Sequence, residues 1–148
     1  MDLVTAIMQD IVADESFRQF VYDDATGLPL KRGDTLKGYP TVAYGLNLQT
    51  EGISEEEGHA LAVASIQSAL AWARTNLGYF YSLTPNRQRA VVEMIYQLGV
   101  HGFLSFKSMR NNLSLDFYDK AADDMLNSKW NQQTPSRCHR LASLMRAG

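Results

Sequence analysis

Glu15, Asp24 and Thr41 are the residues whose types and spacing could do chemistry. All three fall in one stretch, ESFRQFVYDDATGLPLKRGDTLKGYPTVAYGLN, running from Glu15 to Asn47. Glu15 stands at the expected end of a short helix. Asp24 follows nine residues later in turn-forming sequence, and Thr41 sits in a Gly-rich, β-like run. Two carboxylates in unlike surroundings are the minimal equipment for breaking a glycosidic bond. One must stay protonated to push out the leaving group, while the other stays ionised to activate water or stabilise positive charge. Spacing alone decides little, because the chain holds 16 acidic residues and most of them must be solvated.

The elements that would position these groups can be read from periodicity. Leu3, Val4, Ile7, Met8, Ile11 and Val12 repeat as pairs at four-residue spacing, so residues 2 to about 13 form a helix with one wide apolar face. Such a helix would deliver Glu15 to the edge of a core, where desolvation raises a carboxyl pKa. From Phe17 to Leu48 the chain favours strands and turns. Tyr22 to Gly27 reads as a strand entering a turn, and Pro40 to Gly45 as a strand closed by Gly. Lys31-Arg32-Gly33-Asp34 reads as an exposed hairpin tip with solvated charges.

Helices dominate the remainder. Ser54 and Glu57 form a capping box for a helix to about Asn76, whose diffuse apolar face suits an element bridging two lobes. Thr84-Pro85 opens a helix to Leu98 that is apolar almost all round, and Gly99 ends it. Gln97, near the end of that helix, reads by itself as a satisfied core amide. A short helix from Gly102 to about Asn112, an amphipathic one from Phe117 to about Ser128, and one from Thr134-Pro135 to Arg146 complete the chain.

Composition sets the class. Hydrophobic content of 45% and charged content of 20% describe one ordinary globular domain. No apolar run approaches the roughly 20 residues of a membrane span. The first residues, interrupted by Asp2 and Asp10 and lacking a basic start, are not expected to be a secretory signal. The single Cys138 excludes an intramolecular disulfide and reads as a helical packing residue rather than a nucleophile. The net charge of −2 hides an asymmetry. Residues 1–60 hold 4 basic and 11 acidic side chains, and residues 61–148 hold 10 basic and 5 acidic. A basic C-terminal half could attract an anionic polymer, of which bacterial cell wall fits better than DNA, since no nucleic-acid motif is present. The three His residues show no metal-ligand spacing.

Two motifs and one helix end carry a family resemblance. Glu15, the Tyr22-Asp23-Asp24 frame and the run from Thr41 to Gly45 resemble the phage lysozymes of glycoside hydrolase family 24, the T-even phage type. The segment Ser128-Lys129-Trp130, followed by Gln133-Thr134-Pro135-Ser136-Arg137, resembles the C-terminal run of the same enzymes, and Tyr96-Gln97-Leu98-Gly99 resembles a helix end bordering their cleft. Departures are visible. LPLKRGDTLKGY lengthens the interval from Asp24 to Thr41, Ala43 replaces a Gly, and Leu46 replaces a His. The Gly45-Leu46-Asn47-Leu48 ending is shared by many phage relatives with a longer hairpin.

The resemblance implies an α+β, lysozyme-like fold of one domain. A lobe with β structure (14–53) and a helical lobe (77–148 plus the first helix) would flank a cleft, joined by a helix over 54–76. It implies hydrolysis of the β-1,4 bond between N-acetylmuramic acid and N-acetylglucosamine in bacterial peptidoglycan by an endolysin. Glu15 would be the acid, with Asp24 and Thr41 positioning water. Arg137 would support Glu15, and Asn47, Tyr96, Gln97 and Phe106 would contact substrate. No cofactor and no metal are implied. The expected protein is a monomer without nucleic-acid partner or stable membrane insertion, held in the host bacterial cytoplasm until a holin admits it to the wall. Two other readings stay open: a lytic transglycosylase acting on the same bond, and a non-catalytic wall-binding or virion structural protein.

Overall fold

The structure, a computed structural model, describes residues 2–148. The chain divides into two compact units, Met1–Gly58 and His59–Gly148.

In the first unit, α1 (Leu3–Asp14) forms as its periodicity predicts. Asp2 caps it, accepting from Thr5 N at 3.0 Å and from the Thr5 hydroxyl at 2.6 Å, which satisfies donors left open at a helix start. The expected burial of its apolar face does not follow. Leu3, Val4, Ile7, Met8, Ile11 and Val12 remain exposed, and α1 buries none of its residues. The physical reason lies in the unit itself. Among the described residues every fully buried apolar side chain belongs to the second unit, and the buried residues of the first are Asp23 and Thr41.

Three antiparallel strands follow, β1 (Arg18–Asp23), β2 (Pro40–Ala43) and β3 (Leu46–Asn47), in the order β1-β2-β3. Thr41 on the central strand is registered with Tyr22 on one side and Asn47 on the other. β1 bulges between Arg18 and Tyr22, which bends the strand locally. Asp23 N donates to Leu28 O at 3.0 Å, Gly27 N donates to Asp23 O at 2.8 Å, and Leu30 N returns to Val21 O at 2.9 Å. The chain therefore folds back on β1 before it reaches β2. Ala43 adopts φ 57°, in the left-handed region that favours Gly, at the position where the family pattern has one.

α2 (Glu55–Asn76) carries the chain into the second unit and opens with the expected capping box. Ser54 N and Oγ both donate to Glu57 Oε2 at 2.7 Å, and Glu57 N donates back to Ser54 Oγ at 3.2 Å. A 3-10 turn at Phe80–Ser82 precedes α3 (Pro85–Ser105). Gly99 breaks α3 with φ 69° and ψ 168°, as expected, but helix resumes at once rather than after a loop. Then come α4 (Lys107–Ser114), α5 (Tyr118–Leu126), α6 (Lys129–Gln133) and α7 (Pro135–Ala147). The short α6 has too few residues to leave a periodic signal in the sequence.

Phe80, Met94, Phe103, Met109, Leu113, Met125, Leu141 and Met145 fill the core of this unit. Burying each such side chain contributes roughly 1.5–3 kcal/mol. Arg87, one turn into α3, holds the far end of α7. Its Nε donates to Met145 O at 2.8 Å and its Nη2 to Arg146 O at 3.2 Å, and its guanidinium lies 3.5 Å from the centre of the Tyr118 ring. A cation on the last carbonyls of a helix offsets the negative end of its dipole. The expected α+β class, mostly helical with a small sheet, is the one observed.

Candidate active site

Asp24 and Thr41 are brought together by a single residue that sequence reasoning passed over. Tyr39 N donates to Asp24 Oδ1 at 2.7 Å, and Asp24 N donates to Tyr39 O at 3.1 Å. The Thr41 hydroxyl donates to the same Tyr39 carbonyl at 3.2 Å. Asp24 is exposed, so one side of its carboxylate is fixed by a backbone donor and the rest faces solvent. Thr41 is 3% exposed, and its hydroxyl is fixed by burial on the central strand.

The neighbouring acid does a different job. Asp23 is 3% exposed and accepts from three backbone N–H groups: Ala25 at 3.0 Å, Lys37 at 2.6 Å and Gly38 at 3.0 Å. The Lys37 N–H, aided by those of Ala25 and Gly38, holds its carboxyl below the usual carboxylate range against the opposing effect of desolvation. Consecutive donors at 37, 38 and 39 thus meet consecutive carboxylates at 23 and 24. Asp23, the last residue of β1, is buried, and Asp24, the first residue of the turn that follows, is exposed. The approach is close enough to require glycine at position 38. A Cβ there would lie 2.0 Å from Asp24 Oδ1 and 2.7 Å from Ala25 Cβ. The doublet Asp23-Asp24 and the Gly38 punctuation were visible in sequence, but the pairing across the inserted loop was not.

Glu15 caps the C-terminus of α1, with its N–H donating to Ile11 O at 2.8 Å. It is exposed, so the structure does not place it at the edge of a core as periodicity suggested. Asn47 lies beside Thr41 on β3. Its side-chain carbonyl accepts from Gln49 N and Thr50 N, each at 3.0 Å, an Asx turn that ends the sheet. The expected substrate contact is therefore engaged by its own backbone at that oxygen.

In the second unit the four predicted residues separate into two places. Tyr96 and Arg137 line one groove of about 610 Å³ together with Ile66, Leu70 and Val92. Tyr96 is 46% exposed and open to contact. Glu93, on the same groove, is held below its usual carboxylate range by the Arg140 guanidinium at 2.6 Å, with Arg89 at 2.9 Å assisting. Gln97 points elsewhere. Trp130 Nε1 donates to its Oε1 at 3.1 Å, and its Nε2 donates to Thr134 Oγ1 at 3.3 Å. Both polar atoms of the Gln97 side chain are thus engaged within the helical unit, as expected of a core amide. The same pairing explains why Thr134 supplies no side-chain cap to α7, since its hydroxyl accepts from Gln97 and donates to Trp130 O at 3.3 Å. Phe106 is half-buried and stands edge-on to Trp130, ring centres 6.1 Å apart, so it packs against the core. Cys138 is buried with its Sγ 3.3 Å from Met125 O, and burial pushes its thiol up to about 11, as a packing residue requires.

This arrangement can be set beside known proteins. The sequence profile of the family described as "Phage lysozyme" matches residues 14–146. The chain belongs to the phage lysozyme family. Two curated relatives from Dictyostelium discoideum are similar to it. "Probable T4-type lysozyme 1" is 32% identical over 99 residues, covering 65% of this chain and 58% of the relative. "Probable T4-type lysozyme 2" is 30% identical over 94 residues, covering 63% of this chain and 52% of the relative. The chain thus spans between half and three fifths of the length of the curated relatives it matches. In this phage lysozyme family member the matched span contains Glu15, Asp24, Thr41, Asn47, Tyr96, Gln97, Phe106 and Arg137.

Proposed function

We propose that the protein is a muramidase that hydrolyses the β-1,4 bond between N-acetylmuramic acid and N-acetylglucosamine in bacterial peptidoglycan, in the role of an endolysin. The observation that carries this reading is the Tyr39 bridge, which ties an exposed Asp24 carboxylate and the Thr41 hydroxyl to the backbone N–H and C=O of one residue. Family membership supports it.

In the proposed reaction, the Glu15 carboxyl gives its proton to the departing glycosidic oxygen as the C–O bond breaks. Water adds to the anomeric carbon, and its proton passes to Asp24. Thr41 Oγ1, donating to Tyr39 O, keeps lone pairs with which to orient that water. Fixing a nucleophile this way lowers the entropic part of the barrier, and a carboxylate beside a developing oxocarbenium ion stabilises its charge.

The test is turbidity loss of permeabilised bacteria, with mass analysis of the released muropeptides. Hydrolysis leaves reducing ends carrying one added water. Products lighter by one water would identify a transglycosylase, and absence of cleavage by folded protein would leave only wall binding.

A further inference from the structure

Arg18 opens β1 and reaches beyond it. The strand bulges between Arg18 and Tyr22, and the Arg18 guanidinium lies 4.5 Å from the centre of the Tyr22 ring. Its Nη1 donates to Gly27 O at 2.8 Å. One half-buried side chain therefore touches two different parts of the first unit.

Each of those parts carries a residue of the candidate site. Gly27 ends the turn that contains Asp24, and at φ 68° it takes the left-handed conformation that glycine permits. Gly27 N donates to Asp23 O at 2.8 Å, so with Arg18 on its carbonyl both main-chain polar groups of Gly27 are held. Tyr22 stands directly across from Thr41 on β2, and opposed side chains leave one face of a sheet as neighbours. Arg18 itself has no carboxylate partner. Among the described residues every ion pair lies in the second unit, although residues 1–60 hold 11 acidic side chains. The cation is held by a carbonyl and an aromatic face instead, a combination suited to a planar guanidinium with several donors.

We propose that Arg18 is a positioning residue for the proposed reaction, bracing the Asp24 turn against the strand position that faces Thr41. This rests on the muramidase reading, in which Asp24 and Thr41 act on one water. The bond to Gly27 O fixes the far end of the turn, and the stack on Tyr22 ties that end to β1 opposite Thr41. Asp24 is already held to Tyr39 at the near end. With both ends held, the carboxylate keeps the offset from Thr41 that a shared water requires.

The experiment compares Arg18→Met, Arg18→Lys and, as a control at the exposed loop tip, Arg32→Met, in the full chain and well below each melting temperature. Release of reducing ends from soluble, uncrosslinked peptidoglycan strands gives kcat and KM separately. Arg18→Met keeps an apolar stem and loses the donors, so kcat is expected to fall about tenfold with KM within about twofold. Arg18→Lys restores a charged donor for Gly27 O and should return kcat to within about threefold of wild type. Arg32→Met should leave both constants unchanged. Exchange of the Asp24 amide, which donates to Tyr39 O, is followed in the same proteins and should quicken most in Arg18→Met. An unchanged kcat in Arg18→Met, a rise in KM in its place, or a Lys variant no better than Met overturns the positioning role. If the wild type releases no reducing ends, the muramidase reading fails, and the exchange rates still decide whether Arg18 holds the turn.

Discussion

Asp24 and Thr41 both hold the backbone of Tyr39. The Thr41 hydroxyl and the Asp24 backbone N–H both donate to Tyr39 O, and Tyr39 N donates to the Asp24 carboxylate. Asp24→Asn retains an oxygen acceptor for Tyr39 N and removes the charge. Lysis should fall by about two orders of magnitude or more with little change in melting temperature. Glu15→Gln should do the same, and Arg137→Ala should reduce activity less. Retained activity in either carboxamide variant removes that residue from the mechanism.

Asp23→Ala should act on the fold rather than on the chemistry. Its carboxylate is buried and closes the inserted loop through the N–H groups of Lys37 and Gly38, so the variant should expose those two amides to fast hydrogen exchange. The pH dependence follows from the lowered pKa of Asp23. A group whose pKa is depressed by folding stabilises the native state above its unfolded pKa. That stabilisation disappears as pH falls through the folded value. The loop should therefore loosen in acid below the ordinary carboxylate range, and the pH dependence of amide exchange at Lys37 and Gly38 measures it. If acid leaves those amides protected, the clamp is not what holds the loop.

Gly38→Ala introduces no charge and removes none, yet its Cβ would fall 2.0 Å from Asp24 Oδ1. Displacing that carboxylate by about an ångström should lower turnover by about 100-fold. Full activity in Gly38→Ala would show that Asp24 does not need the Tyr39 N–H.

Ala43→Gly should be stabilising. Ala43 holds φ 57°, where an L side chain costs roughly 1–2 kcal/mol, and glycine gives part of that back as unfolded-chain entropy. A net gain of about 0.5–1 kcal/mol in urea denaturation is expected. A loss would mean that the Ala43 methyl packs more favourably than the strain it causes.

Gln97→Ala separates two roles. As a tie between α3 and the Trp130–Thr134 segment, its loss should destabilise by about 1–3 kcal/mol by leaving the buried Trp130 Nε1–H unpaired. A drop in activity at unchanged stability would make it a substrate contact.

Several features were settled by local sequence. The 3.6-residue period of α1, the Ser54–Glu57 capping box, the Pro85 start of α3 and the φ > 0 break at Gly99 all depend on residues within a turn of one another. Short-range sterics and hydrogen bonding dictate them whatever the rest of the chain does. The family resemblance was legible for a similar reason, because it is carried by residue types in fixed order. What local pattern could not decide was which polar groups find each other over distance. Asp23 meets Lys37 and Gly38 across 14 and 15 residues, and Gln97 meets Thr134 across 37. Apolar faces are ambiguous in the same way. A stripe such as that of α1 is written in the sequence, but its burial depends on what packs against it, and the first unit surrounds two polar side chains instead of an apolar core. The roles of Asp23 and Asp24 differ for that reason: they are the same residue type, one position apart, and only the folding back of the 37–39 segment buries one under the Lys37 and Gly38 N–H groups and leaves the other, held by Tyr39 N, facing solvent.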